Sequence, residues 1–261
     1  MESLETIDYS EADGVAWVTL NRPDQHNSFN RAMNDELHRV WRHLRVNDDV
    51  SVAVLTGAGD KAFCVGMDRT ESYPQPSSPL MIDAPGPQLG PKGADLWKPV
   101  IAAVNGMACG GAFYMLGEVE FIIAAEHATF FDPHVTYGMP SVFEPMLMSG
   151  RMPMGEIMRL SIMGNHERMS ARRAYEIGLV SEVVPASELH EAAGRAAAAI
   201  ASQPSVAVQA TVRATWAARQ MSMGQALGIA PQLVSLGNDE QALRQGQERF
   251  EAGQRIDWRL R

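Results

Sequence analysis

A chain of 261 residues with 46% hydrophobic side chains can build one large domain, or a domain with an appendage, and is too apolar to be disordered throughout. Its 22 basic and 31 acidic residues leave a formal charge of −9 with no concentrated basic stretch, which disfavours nucleic acid and membrane surfaces as partners. Two cysteines, Cys64 and Cys109, make no disulfide framework and suit a reducing compartment, and no cysteine–histidine spacing suits a metal.

The acidic opening MESLETIDYSEADG lacks the apolar run of a signal peptide, and no stretch has transmembrane length without charge, so a cytoplasmic location is the expectation. Residues 4–10 and Val15 to Leu20 read as two strands joined at Glu11–Gly14. Asn21-Arg22-Pro23 ends the second. Asn30 suits an N-cap for a helix with Met33, Leu37, Val40, Trp41 and Leu44 on one face. Val52 to Leu55 reads as a buried strand closed by the turn Gly57-Ala58-Gly59. Lys61-Ala-Phe-Cys-Val-Gly-Met-Asp68 is a short apolar piece, a glycine and then a polar residue. Residues 70–96 hold Pro74, Pro76, Pro79, Pro85, Pro87 and Pro91, and read as a long loop with at most one short helix.

The stretch Lys98 to Tyr114 carries the most chemistry. Val100 to Val104 suits a buried strand, Asn105-Gly106 a turn, and Gly110-Gly111 precedes an apolar run, Ala112 to Leu116, that can start a helix. A strand, two glycines and a helix start gather free backbone N–H groups at one point. Such a point can bind an anion or an oxygen that becomes anionic during reaction. Downstream, residues 120–125 and 129–131 read as strands, 137–141 as a loop, and 143–148, 153–163 and 170–177 as helices, the last capped by Ser170. Val183-Val184 ends a strand. Residues 187–202 form an alanine-rich helix, and 205–250 is helical with breaks near Pro204 and Pro231. Methionines 139, 146, 148, 152, 154, 158 and 163 either line a flexible pocket or belong to a core or a subunit interface.

KPVIAAVNGMACGGA and KAFCVGMD, with Asn21-Arg22-Pro23, Asn27, the strand SVAVLTG and the later AYEIGLVSEVV, closely resemble the crotonase superfamily, the enoyl-CoA hydratase/isomerase family, over roughly residues 5–200. The resemblance implies an α/β fold: a ββα superhelix over residues 1–200, with a C-terminal helical region, 201–261, used for trimer contacts. It implies an acyl-CoA thioester as ligand, an oxyanion hole made of the Met67 and Gly111 N–H groups, and a homotrimer or homohexamer. Coenzyme A would enter as part of the substrate, with no separate cofactor. Its binding segment would include Arg22, Asp24, Gln25, His26, Asn27, Cys64, Gly66 and Asp68, and residues 70–96 would close over the acyl group.

The chain departs from the hydratase pattern at two positions. Where the resemblance puts two catalytic carboxylates, this sequence has Tyr114 and His134. His134 can serve as a base near neutral pH, Tyr114 can donate to an oxygen, and Glu144 follows ten residues after His134. Each also has a plain structural reading: His134 as a surface or capping residue, Tyr114 as core, Glu144 as helix N-terminal charge. Asp132 either orients the imidazole or caps a turn. The expected activity is acyl-CoA transformation through an enolate or oxyanion. Hydrolytic carbon–carbon cleavage of a keto acyl-CoA and non-catalytic thioester binding stand as alternatives.

Overall fold

The computed structural model describes residues 3–71, 78, 80, 86–253, 256 and 258–261. Strands β1 (Ile7–Ala12) and β2 (Val15–Leu20) form an antiparallel hairpin. The ladder runs two residues further than the sequence suggests. Asp13 and Gly14 both take positive φ, 52° and 78°, and two such residues close a hairpin by themselves. Glu11 and Ala12 therefore stay paired, with Ala12 opposite Val15.

Helix α1 (Arg31–Val46) follows, and Asn30 caps it by accepting the Met33 N–H at 3.0 Å. All five residues expected on its apolar face are buried. Asn30→Ala should lower stability by about 1 kcal/mol in urea unfolding, and an unchanged midpoint would deny the cap any role.

Strands β3 (Val52–Gly57), β4 (Ala62–Cys64), β5 (Val100–Val104), β6 (Met107–Cys109), β7 (Phe121–Ala125) and β8 (Thr129–Phe131) come in long–short pairs. The long strands enter a six-stranded sheet, β1-β2-β3-β5-β7-β10, and the short ones a four-stranded sheet, β4-β6-β8-β9. Here β9 is Met169–Ser170 and β10 is Glu182–Val184. Each pair steps the chain one strand further along both parallel ladders, which makes the ββα superhelix.

The central strands are apolar on both faces because both are covered. Leu55, Ala102, Val104 and Ile122 face the core that holds α1 and α2 (Ala112–Leu116). Val54, Ile101, Ala103 and Ile123 face α6 (Leu189–Ala201), whose Ala192, Ala193 and Ala197 allow close approach. Between lie α3 (Phe143–Met148), α4 (Met154–Met163) and α5 (Ala171–Glu176), the last capped by Ser170.

Helices α7 (Ser205–Gln220), α8 (Met223–Gly237) and α9 (Glu240–Glu251) complete the chain. Pro231 does not break the helix as its presence suggests; it lies inside α8. A proline removes only one N–H from the ladder, while the break falls where capping is available. Ser222 and Gln225 form a reciprocal capping box just after Met221. Burial fades along this tail: α7 buries Val212, Trp216 and Ala217, α8 only Ala226, and α9 nothing.

Pro74, Pro76, Pro79 and Pro85 lie outside the described residues. The described end of that segment contains a short 3-10 turn, Gly86–Gln88, and is tied to α1 by the Trp41 Nε1–H donating to Leu89 O at 2.9 Å.

Candidate active site

The turn after β4 and the turn after β6 meet. Phe29 bridges to Met67 in parallel fashion: its N–H donates to Gly66 O at 2.9 Å, and its carbonyl accepts from Asp68 N at 2.8 Å. That pattern skips the Met67 N–H. Gly110, at φ +53°, donates to Phe131 O, and Phe113 and Tyr114 donate to Gly110 O and Gly111 O. That pattern skips the Gly111 N–H. Among the described residues neither of these two donors has a hydrogen-bond acceptor.

They sit side by side because both turns require glycine. A Cβ on Gly66, itself at φ +88°, would lie 3.0 Å from Gly111 N. A Cβ on Gly111 would lie 2.5 Å from the Phe29 ring. Two unpaired N–H groups beside each other can hold one oxygen and stabilise negative charge on it.

They open into a cavity of about 720 Å³ that also holds His26, Phe29, Arg69, Tyr114, Phe131, His134, Tyr137, Met139, Glu144 and Arg168. Its acid–base groups form a chain. Asp132 is fully buried. Its Oδ1 accepts from His134 Nδ1 at 2.5 Å and from the His134 backbone N–H at 3.1 Å. Its Oδ2 accepts from the Ser141 hydroxyl.

Burial works against charge on Asp132, but the bonds from His134 and Ser141 outweigh it and hold the carboxyl below its usual range. A carboxylate only accepts, so the proton of a neutral His134 sits on Nδ1. The Nε2 lone pair then points away from Asp132, and Glu144 Oε1 lies 3.7 Å from it. The bond to Asp132 raises the His134 pKa; burial opposes this, and the charges of Asp132 and Glu144 add to it.

Glu144 is held above the carboxylate range, chiefly by burial. Tyr114 is shifted up by burial first, then by the Glu144 charge and a hydrogen bond to it. Its ring centroid is 6.1 Å from that of Phe143. Gly86 packs directly against the Tyr114 ring, so the described end of the proline-rich segment reaches this site.

Asp132, His134 and Glu144 offer ligand atoms within 4.8 Å of one another, as a metal site would. Asp132 serves the Nδ1 edge of the ring and Glu144 the Nε2 edge, however. The imidazole bridges two carboxylates, and both Asp132 oxygens already accept hydrogen bonds. The arrangement suits proton transfer better than metal binding.

Of the residues singled out from sequence, His26, Gly66, Met67, Asp68, Gly111, Tyr114, His134 and Glu144 line the cavity. Arg22, Asp24, Gln25, Asn27 and Cys64 do not. Arg22 pairs with Asp68 at 2.8 Å and donates to Ser28 O. Asp68 also takes the Thr70 hydroxyl at 2.7 Å; that bond first, then Arg22, holds its pKa down.

Asn27 is fully buried, with Nδ2 donating to Ala58 O and Ala62 O and Oδ1 accepting from Arg22 N. Burial pushes the Cys64 thiol up to about 12, against the Gly66 N–H, which donates to its Sγ at 3.4 Å. These groups shape the two loops that carry His26 and Met67. Asp24 and Gln25 are exposed in a 3-10 turn, and Asp24 lines a smaller cavity of about 170 Å³ shared with His26 and Lys61. Of the seven methionines, Met139 lines the large cavity, and Met148 and Met152 are core.

Sequence reasoning left the role of Asp132 open and passed over Phe29, Arg69, Tyr137 and Arg168. The spacing Asp132-Pro133-His134 was the available signal for the first.

The enoyl-CoA hydratase/isomerase family profile matches residues 10–260. The chain is 33% identical over 239 residues to an (E)-benzylidenesuccinyl-CoA hydratase of Thauera aromatica, covering 90% of this chain and 92% of that protein. It is 34% identical over 198 residues to a 1,2-epoxyphenylacetyl-CoA isomerase of Escherichia coli (strain K12), covering 73% and 74%. An enoyl-CoA hydratase/isomerase from Mycobacterium paratuberculosis superposes with a TM-score of 0.88 at 33% identity, covering 99% of this chain and 100% of that one. The chain therefore belongs to the enoyl-CoA hydratase/isomerase family, the crotonase superfamily, and is an acyl-CoA-processing enzyme.

Proposed function

We propose that this enzyme hydrates or isomerises an acyl-CoA through a thioester enolate, with the Met67 and Gly111 N–H groups holding the oxygen and His134 and Glu144 moving the protons. The observation that carries this reading is the pair of unpartnered N–H groups in one cavity with the Asp132–His134–Glu144 chain. His134 Nε2 takes a proton from water or from the α-carbon, and Asp132 stabilises the resulting imidazolium. In hydration the water oxygen bonds the β-carbon and Glu144, whose pKa burial raises, gives a proton to the α-carbon of the enolate; in isomerisation it gives one to the γ-carbon, with Tyr114 fixing its orientation. The oxyanion donors stabilise charge that exists only during reaction.

The acyl group carries an aromatic ring on this reading. Phe29, Phe131, Tyr114 and Tyr137 line the cavity, and the two relatives named above are named for a benzylidene and a ring-epoxidised phenyl acyl group, both built on a six-carbon ring. Coenzyme A runs along the adjoining loops of His26 and Asp68, with Arg22, Asn27, Cys64 and Gly66 holding their shape and Asp24 and Gln25 at the outer side.

The test compares crotonyl-CoA with aryl enoyl-CoA thioesters. Turnover of the aryl substrates that falls in both His134→Ala and Glu144→Ala supports the reading. Efficient crotonyl-CoA hydration indifferent to both substitutions contradicts it. Bound thioester with no turnover of any substrate would make the protein a binding member of the family. A water-activating Asp–His pair also serves hydrolytic cleavage of a keto acyl-CoA, so a β-diketone thioester belongs in the panel.

The enzyme assembles as a homotrimer or homohexamer on this account. Leu227, Leu236, Phe250 and Trp258 stand exposed on or beyond the C-terminal helices, Trp258 by 82%, and a partner protomer would cover them. Light scattering at micromolar concentration should give three or six protomers; a monomer would contradict this.

A further inference from the structure

A second cavity, of about 710 Å³, lies at the N-terminal ends of β7 and β10 and is closed by α7. It shares no lining residue with the thioester cavity. Two guanidiniums, Arg151 and Arg219, line it together with Trp216 and Glu120.

Both arginines are held in place by main-chain carbonyls. Arg151 donates from Nε to Gly117 O at 3.1 Å and from Nη2 to Val119 O. Arg219 donates from Nη1 to Gly117 O at 3.4 Å and from Nη2 to Leu147 O at 2.5 Å. The two positive charges thus converge on one carbonyl. Both also pack on the Trp216 ring, 5.9 and 4.9 Å from its centroid. Gly150 leaves the room for Arg219: a Cβ there would lie 2.4 Å from its Nε.

The neighbouring acids are committed elsewhere. Glu120 Oε1 takes Lys92 Nζ at 2.8 Å and the Trp216 Nε1–H at 2.8 Å, and its Oε2 takes Val100 N at 2.6 Å. Glu118 Oε2 takes the N–H groups of Lys92 and Gly93. Among the described residues neither Arg151 nor Arg219 has an ion-pair partner. A guanidinium has five N–H donors, so each keeps donors to spare. Burial, and then repulsion from Arg219, pull the Arg151 pKa down to about 10, against the attraction of the Glu120 and Glu118 charges, and Glu118 also acts on Arg219. An anion between them would relieve that repulsion.

The geometry points to a second ligand site here, for a small organic anion that presents a carboxylate or a phosphate monoester to Arg151 and Arg219. Planar guanidiniums bind either oxyanion through paired hydrogen bonds. The cavity is larger than a bare ion needs, so the ligand has a body beyond its charged head.

The test uses the full chain, titrated separately with inorganic phosphate and with butyrate at constant ionic strength. Binding is read from the NMR signal of the Trp216 indole N–H, which the thioester cavity does not touch. A saturable shift with either anion is expected, and the two arms tell which head group is preferred. Arg219→Gln should weaken that binding by roughly tenfold or more. Thr215→Glu puts a carboxylate on a wall residue at an exposed helix position that glutamate suits. It should raise the melting temperature and abolish the shift, which keeps the proposal testable should Arg219→Gln fold poorly. A Trp216 signal unmoved by both anions, or moved alike in the wild type and Thr215→Glu, would overturn the site.

Discussion

Gly111→Pro should reduce acyl-CoA turnover by roughly 10²–10³ relative to Gly111→Ala, the loss associated with one oxyanion donor. The comparison between the two variants separates the N–H, whose place the proline Cδ takes, from the crowding caused by the added Cβ. Both place a Cβ at the same point, 2.5 Å from Phe29 Cε1, so both disturb that ring. Only proline deletes the donor. Gly111 has φ −60°, which proline adopts without strain, so the backbone at this residue can stay where it is. Steady-state kinetics of both variants on the same thioester make the measurement. Equal losses in the two would show that crowding against Phe29, and no hydrogen bond from residue 111, controls the rate.

His134→Ala should cost about 10²–10⁴ in kcat, the range for a positioned general base. Its pH dependence carries more information than the size of the loss. The bond to Asp132 raises the His134 pKa above the ordinary 6.5. The base must be neutral to act, so kcat/KM should rise with pH through a limb that lies above that value. Asp132→Asn removes the largest cause of the shift, so the limb should move to lower pH. The rate on its plateau should also fall, because the carboxylate bonded to Nδ1 no longer stabilises the imidazolium. A limb that stays in place in Asp132→Asn would mean that another group titrates. Glu144, shifted up by its burial, should contribute a separate limb that Glu144→Gln removes.

Much of the site was legible because backbone donors are set by local chain chemistry. Gly66 and the Gly110-Gly111 pair announce turns, and turns leave N–H groups unpaired. The α1 face and the Asn30 and Ser170 caps were legible for the same reason, since a cap depends on residues three apart. What sequence could not give is pairing across the fold. Arg22 and Asp68 are 46 residues apart, and each looks like a ligand-binding charge until their ion pair is seen.

Asn27 similarly reads as a contact residue, yet its amide is saturated by Ala58 and Ala62. Asp132 could have been a turn cap. Complete burial, with both oxygens engaged, makes it the group that orients His134. Pro231 misled because local propensity ranks proline as a breaker, while one lost N–H is tolerated when better caps lie on either side. The cavity around Arg151 and Arg219 joins segments from β7, α7 and the loops after α3 and α5, so no single stretch announces it.

The central claim is that Met67 and Gly111 donate to one thioester oxygen. The infrared difference spectrum of a bound, non-reacting acyl-CoA, with and without ¹³C at the thioester carbon, tests it most directly. The account predicts a carbonyl band displaced below its position in water, retained in His134→Ala and restored toward the water value in Gly111→Pro. A band at the solution frequency in the wild type, or one equally displaced in Gly111→Pro, would contradict it.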